Sequence, residues 1–294
     1  MDFNAFIITG SILLGLIIGI LTGIFGVGGG FILTPALMIL LGVPGGAAVG
    51  TGIATILANS TIGLIKRKGS GSVDVKVAGL MSGGCIAGAL IGSAILENLK
   101  GVAPVTINGH HIPAVQLFLL LMFMALLIFI GVNFLVSYFQ NPGREAVQRG
   151  LLDKVRIPPY AHFETLDNRI LSVPGLLVLG LAAGLMTGLL GIGGGVVLLP
   201  MLIYLVGQDG KEAAGTSLLL VWIASIVSVV PKTLCGDVSL VLFVLLFAGG
   251  FFGTVLGTKI GLALREDKIR FYFVFVIAAA IAMVGFKLYS LIWQ

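Results

Sequence analysis

Apolar residues run along this chain in ten blocks, at approximately 6–25, 31–41, 47–65, 75–96, 113–139, 171–190, 196–206, 213–230, 240–264 and 271–292. A helix needs roughly 20 such residues to cross a hydrocarbon core of about 30 Å, and eight blocks meet or approach that length. The second and seventh have only eleven residues and reach about half-way. A membrane β-barrel would alternate apolar and polar positions, and the unbroken run from Leu117 to Leu135 does not. The pattern therefore predicts an all-α polytopic membrane protein. It divides into an N-terminal transmembrane repeat over 1–139, a linker over 140–170 and a C-terminal transmembrane repeat over 171–294. The linker is the one long polar stretch and holds Pro142, Pro158 and Pro159.

The two sets of five blocks are copies. LIIGILTGIFGVGGGFILTP, ending at Pro35, aligns with LAAGLMTGLLGIGGGVVLLP, ending at Pro200, a displacement of 165. The same displacement pairs Gly50-Thr51 with Gly215-Thr216, Ser60 with Ser225, Gly88 with Gly253 and Gly92 with Gly257. Asp74 aligns with Asp237 once two loop residues are dropped, and each is expected to cap the helix it precedes. Five crossings per copy force the second copy to be inverted. Inverted-topology repeats, with short broken or re-entrant helices at their glycine-rich motifs, are the architecture of alternating-access carriers.

Composition agrees with a membrane solvent: 58% of residues are hydrophobic, only 10% are charged and mean hydropathy is +1.15. The 44 glycines have no collagen-like period and point to close helix packing and broken helices. A net charge of +5 could suggest nucleic acid, but the basic residues lie in short loops and not along one face, so no nucleic-acid partner is expected. They set orientation instead. Thirteen Lys and Arg residues, among them Lys66, Arg67, Lys68, Arg144, Arg149, Lys154, Arg156 and Arg265, fall on the linker's side, against Lys100, Lys232 and Lys287 on the other. The excess places the linker in the cytoplasm of a bacterial or archaeal cell and both termini outside. Two cysteines, Cys85 and Cys235, indicate no disulfide framework, and His110 and His111 beside Asn108-Gly109 have no metal-binding companions. No cofactor or metal is expected, and neither a nucleotide motif nor a catalytic cluster appears, so no enzyme is expected.

Chemistry concentrates at the breaks. Gly28, Gly29 and Gly30, with Gly193, Gly194 and Gly195, each follow a full-length helix and precede a short one, whose free N–H groups and positive dipole end suit an anion. A side chain at Gly29 or Gly194 is expected to occupy the anion's position. The helices that follow carry Thr51, Thr55 and Asn59, spaced by four and so on one face, and Thr216, Ser217 and Ser225 in the other copy. Asn59 stands out among them as a buried-amide ligand. Thr51, Asn59, Thr216, Ser217, Ser225 and the six glycines form the expected substrate site near the midplane. Lys66, Arg67 and Lys232, at corresponding ends of the third and eighth blocks, could funnel an anion to either mouth. Glu97 is expected at the outer interface.

The duplicated G-V-G-G-G and G-I-G-G-G breaks, the proline five residues beyond each, and the two Gly-Thr pairs resemble the sulfite exporter TauE/SafE family over both halves. The resemblance implies a secondary transporter, an exporter, of small sulfur-containing anions such as sulfite or organosulfonates like sulfoacetate. Thiosulfate, a carboxylate or import is the alternative, and a membrane scaffold or enzyme is a rival from another class. Besides the bilayer, a coupling ion (proton or sodium) and a second copy of the chain are the open partners.

Overall fold

The computed structural model describes residues 5–107, 110–140, 150–154, 157–163, 166, 168–264 and 266–293. The Asn108-Gly109 turn and the basic residues Arg144, Arg149, Arg156 and Arg265 lie outside them. Ten helices follow the ten apolar blocks: α1 (Ala5–Phe25), α2 (Gly30–Leu40), α3 (Gly45–Arg67), α4 (Val75–Lys100), α5 (Ala114–Gln140), α6 (Val173–Leu190), α7 (Gly195–Pro200), α8 (Gly210–Leu234), α9 (Leu240–Ala263) and α10 (Glu266–Trp293). Eight are long and apolar enough to cross a membrane. The chain is a polytopic α-helical membrane protein.

The short helices are set by their glycines. Gly26, Gly28 and Gly29 before α2, and Gly191, Gly193 and Gly194 before α7, all adopt left-handed φ values of 66–74°, a region that residues with a Cβ enter at a cost. Each break ends one helix and starts the next within four residues. Pro35 is accommodated inside α2, whereas beyond Pro200 α7 continues as a π-helical turn, Met201–Val206.

Packing is organised by exchange between the halves. α1 lies along α9 and α4 along α6, in seams where glycines of one helix face backbone carbonyls of the other: Gly84, Gly88 and Gly92 meet Leu177, Leu181 and Leu185. With no hydrophobic gain from burying apolar surface inside lipid, such close backbone approach supplies the van der Waals contact that holds the bundle. α3 and α8 cross at the centre in opposite directions. Gly215 abuts Ser72 just beyond the end of α3, and Gly50 abuts Asp237 just beyond the end of α8.

Two small antiparallel hairpins lie in the connections between helices. β1 (Val105–Ile107) pairs with β2 (His110–Ile112) between α4 and α5. β3 (Tyr160–Phe163) pairs with β4 (Arg169–Ser172) in the second half of the linker. The linker is thus partly folded and not a plain tether: Leu152, Phe163, Leu166 and Leu171 are buried, and Lys76 at the start of α4 donates to the His162 carbonyl at 2.6 Å. Ser172 closes the hairpin and caps α6.

Candidate functional site

The two glycine breaks meet at the centre of the molecule. Gly30 packs against the Gly191 carbonyl and Ile192, both 2.7 Å from where its Cβ would be, and Gly195 packs against Val27. Ile56 of α3 and Val221 of α8, themselves 165 apart, flank both Gly28 and Gly193, with side-chain carbons 2.9–3.1 Å from the Cβ positions. The room between the breaks is filled by these two apolar side chains. A Cβ at Gly29 would face Thr22 and Ile18 of α1, and one at Gly194 would face Thr187 and Ala183 of α6. This corrects the expectation for those two positions: a side chain there strikes the preceding helix, so it disturbs folding before it displaces any ligand.

Among the hydroxyls, Thr51 and Thr216 perform the same task in each half. Thr51 Oγ1 accepts from the Ser239 amide and Thr216 Oγ1 from the Asp74 amide, both at 3.0 Å. They tie the N-terminal turns of α3 and α8 to the starts of α9 and α4 respectively. Asp74 caps α4 by accepting from the Lys76 and Val77 amides, but its counterpart at the start of α9 is Ser239, at the unmodified displacement of 165. Asp237, expected as a second cap, instead bonds Lys100. Ser217 Oγ donates to Gly26 O at 2.8 Å and so holds one break against α8. Asn59 and Ser225 are different. Both are fully buried, and neither the Asn59 amide nor the Ser225 hydroxyl has a hydrogen-bond partner. Thr254 of α9 shares that condition. Buried polar atoms of this kind cost about 1–3 kcal/mol each unless something completes them.

Displaced by 165, Arg67 and Lys232 end α3 and α8 on opposite sides, and both are buried. Arg67 turns back to the last turn of α1, where Nη2 donates to Gly23 O at 2.9 Å and to Ile24 O at 3.4 Å, a cation at a helix C-terminus. Its Nε is unpartnered. Beside it opens a cavity of about 660 Å³ between α3 and α8, walled by Leu64, Val73, Leu219 and Trp222 and edged by Thr61, Arg67, Lys68 and Ser72. Trp222 Nε1 donates to Thr61 Oγ1 at 2.9 Å across its base. Lys68 stays exposed at the rim, and Lys66 is exposed nearby on α3.

The matching end of α8 is held by ion pairs. Lys232, with none of its side chain exposed, donates to Glu97 Oε1 at 2.9 Å. Lys100 pairs with Glu97 Oε2 at 2.8 Å and also with Asp237. Two cations and two carboxylates thus stitch α4, α8 and the turn between α8 and α9 together. Glu97 is therefore no free interfacial charge, as the sequence had suggested, but the partner of a buried lysine. Nothing in the sequence pattern joined Glu97 to Lys232, which are 135 residues apart; the only hint was a carboxylate near the end of an otherwise apolar helix.

A family model described as sulfite exporter TauE/SafE matches residues 11–284. The chain belongs to this family. Among curated relatives, the probable membrane transporter protein YunE of Bacillus subtilis is 25% identical over 94% of this chain and 95% of its own length. The probable membrane transporter protein MJ0441 of Methanocaldococcus jannaschii is 26% identical over 65% of this chain and 60% of its own. No solved structure matches. As a TauE/SafE protein with eight spanning-length helices, the chain is a multi-pass protein of a prokaryotic cell membrane.

Proposed function

We propose that this membrane transporter is a secondary carrier of small sulfur-containing anions, sulfite or organosulfonates such as sulfoacetate, exporting them by alternating access. The observation that carries the reading is the pair of buried cations, Arg67 and Lys232, at opposite ends of the crossed α3–α8 pair. One borders an open cavity and the other is shut behind carboxylates. A burial this complete is costly for a fixed charge in a membrane protein and marks an ion's path. Between the two cations lie the abutting breaks and the unpartnered Asn59 and Ser225, so a separation of the halves at Ile56 and Val221 would give an anion polar partners near the midplane. In this reading Gly28, Gly29, Gly30, Gly193, Gly194 and Gly195 furnish the close backbone, Asn59 and Ser225 the side-chain donors, and Thr51, Thr216 and Ser217 hold the frame. With the linker cytoplasmic, the open cavity faces the cytoplasm, Lys66 and Arg67 gather the anion there, and the direction is export.

The test is counterflow in proteoliposomes. Saturable exchange of labelled sulfite or sulfoacetate, strongly reduced in Arg67→Leu, is expected. Exchange restricted to carboxylates across a broad panel would replace the substrate class, and no exchange of any anion would favour a scaffold.

A further inference from the structure

Buried cations in this chain are handled in two ways, and the second has the geometry of a binding site. Lys232 keeps no side-chain surface exposed, yet its partner Glu97 and the neighbouring Lys100 retain 28% of theirs. The carboxylate therefore sits over the lysine like a lid. Glu97 is held from two directions, through Oε1 by Lys232 and through both oxygens by Lys100. It can release Lys232 and remain paired with Lys100. One turn below Glu97 on α4 lies Ser93, and one turn below Lys232 on α8 lies Ser228. Both are nine-tenths or more buried and both hydroxyls are without a partner. α4 and α8 pack along each other, with Cys85 Sγ reaching Leu220 O further down the same seam. A cation, an occupying carboxylate and two unused hydroxyls thus share one seam.

We propose that Lys232, Ser93 and Ser228 form a second anion station at the end opposite the open cavity, where Glu97 occupies the place of a compact oxyanion. The inference rests on the anion-carrier reading for its substrate and on the geometry alone for its location. An arriving anion takes the lysine's charge and the two hydroxyls, and Glu97 falls back on Lys100. The stitch between α4 and α8 is then released only when an anion replaces it, so this end does not open onto an unpaired buried lysine. Apparent affinity at the station is lowered by the fraction of time that Glu97 fills it.

Glu97→Gln in the purified full chain tests this through thermal melting with sulfite, sulfate, acetate and chloride, at ionic strength matched with gluconate. The variant alone melts lower than the parent, because Lys232 loses its charge partner. The compact anions are expected to restore its melting temperature and to bind about tenfold more tightly than to the parent, the gain that vacating an occupied site gives. Ser228→Ala should reduce that rescue. The double variant Glu97→Gln/Lys232→Met, which buries no unpaired charge, should melt near the parent and respond to no anion. If Glu97→Gln melts low and no anion rescues it beyond the parent's own response, the pair is structural and the station is overturned, even where sulfite counterflow stands. Rescue by acetate and chloride in a protein that exchanges no sulfur anion would keep the station and overturn the sulfur reading.

Discussion

The two ends of the α3–α8 pair carry the same charge at equivalent positions and treat it in opposite ways. At the linker end Arg67 rests on backbone carbonyls, no carboxylate among the described residues pairs with it, and the helices part around a cavity of about 660 Å³. At the far end Lys232 is covered by Glu97, and Lys100 and Asp237 complete a neutral cluster that joins α4, α8 and the turn leading to α9. A guanidinium with five donors can be satisfied by carbonyls at a helix end, whereas a compact ammonium with no exposure needs a counter-charge. In this one structure, two cations displaced by 165 residues thus meet different surroundings, a cavity beside one and a carboxylate against the other.

Reversing the charge at each end gives the largest contrast. Lys232→Glu would bring a third carboxylate against Glu97 and Asp237, leaving buried like charges; a loss of about 3–5 kcal/mol, the scale of a broken buried pair, is expected. Size-exclusion chromatography of the detergent-solubilised variant should show little monodisperse protein. Arg67→Glu would set a carboxylate against the Gly23 and Ile24 carbonyls, but the adjoining cavity lets it turn away, so it should lose less monodisperse protein by the same measurement while losing flux. If both variants fold equally well, the far end is not sealed by charge.

A neutral change isolates the linker end. Arg67→Leu forfeits its bonds to Gly23 and Ile24, charge-assisted hydrogen bonds that contribute about 1.5–3 kcal/mol each at most. Counterflow should fall by about tenfold or more, and Arg67→Lys should recover part of it, since a point charge replaces the fork only partly. Equal loss in both variants would mean that geometry, and not charge, matters there.

Where the two halves act alike, their variants should too. Thr51→Val and Thr216→Val each orphan one backbone amide, Ser239 and Asp74 respectively, and each should cost about 1–2 kcal/mol in melting experiments. A large difference between them would break the equivalence of the two halves. The smallest effect is expected from Trp222→Phe, which removes one hydrogen bond to Thr61 at the cavity base, about 1 kcal/mol, and should raise the apparent KM for the substrate with little change in stability.

Much of this frame was legible because hydrophobic length and glycine position are local signals. Gly26 to Gly30 and their copies predicted the two breaks and the two short helices, and the displacement of 165 already put Arg67 and Lys232 at matching ends. What the breaks face was not legible. Ile56 and Val221 fill the space beside Gly28 and Gly193 only because α3 and α8 cross there, and crossing angles follow from side chains on several helices at once. Asp237 read as a helix cap since it precedes α9 as Asp74 precedes α4, but Lys100, from another helix, claims it. The π-helical turn after Pro200 has no counterpart after Pro35, although the two prolines match. Thr51 and Thr216 looked like ligands; in the structure their oxygens are already engaged by backbone amides, a choice that polar side chains in a bundle make according to which neighbour arrives.

Paired cysteine accessibility tests most directly whether one mouth is open while the other is shut, and whether substrate exchanges them. Leu64, which lines the open cavity, and Val229, its equivalent 165 residues on, would each be replaced by cysteine in a background with Cys85 and Cys235 changed to serine. In proteoliposomes without substrate, a charged methanethiosulfonate reagent should label position 64 rapidly and position 229 slowly. Saturating sulfite should shift the two rates in opposite directions. Rates that are alike at rest, or that rise together with sulfite, would contradict alternating access between these two ends.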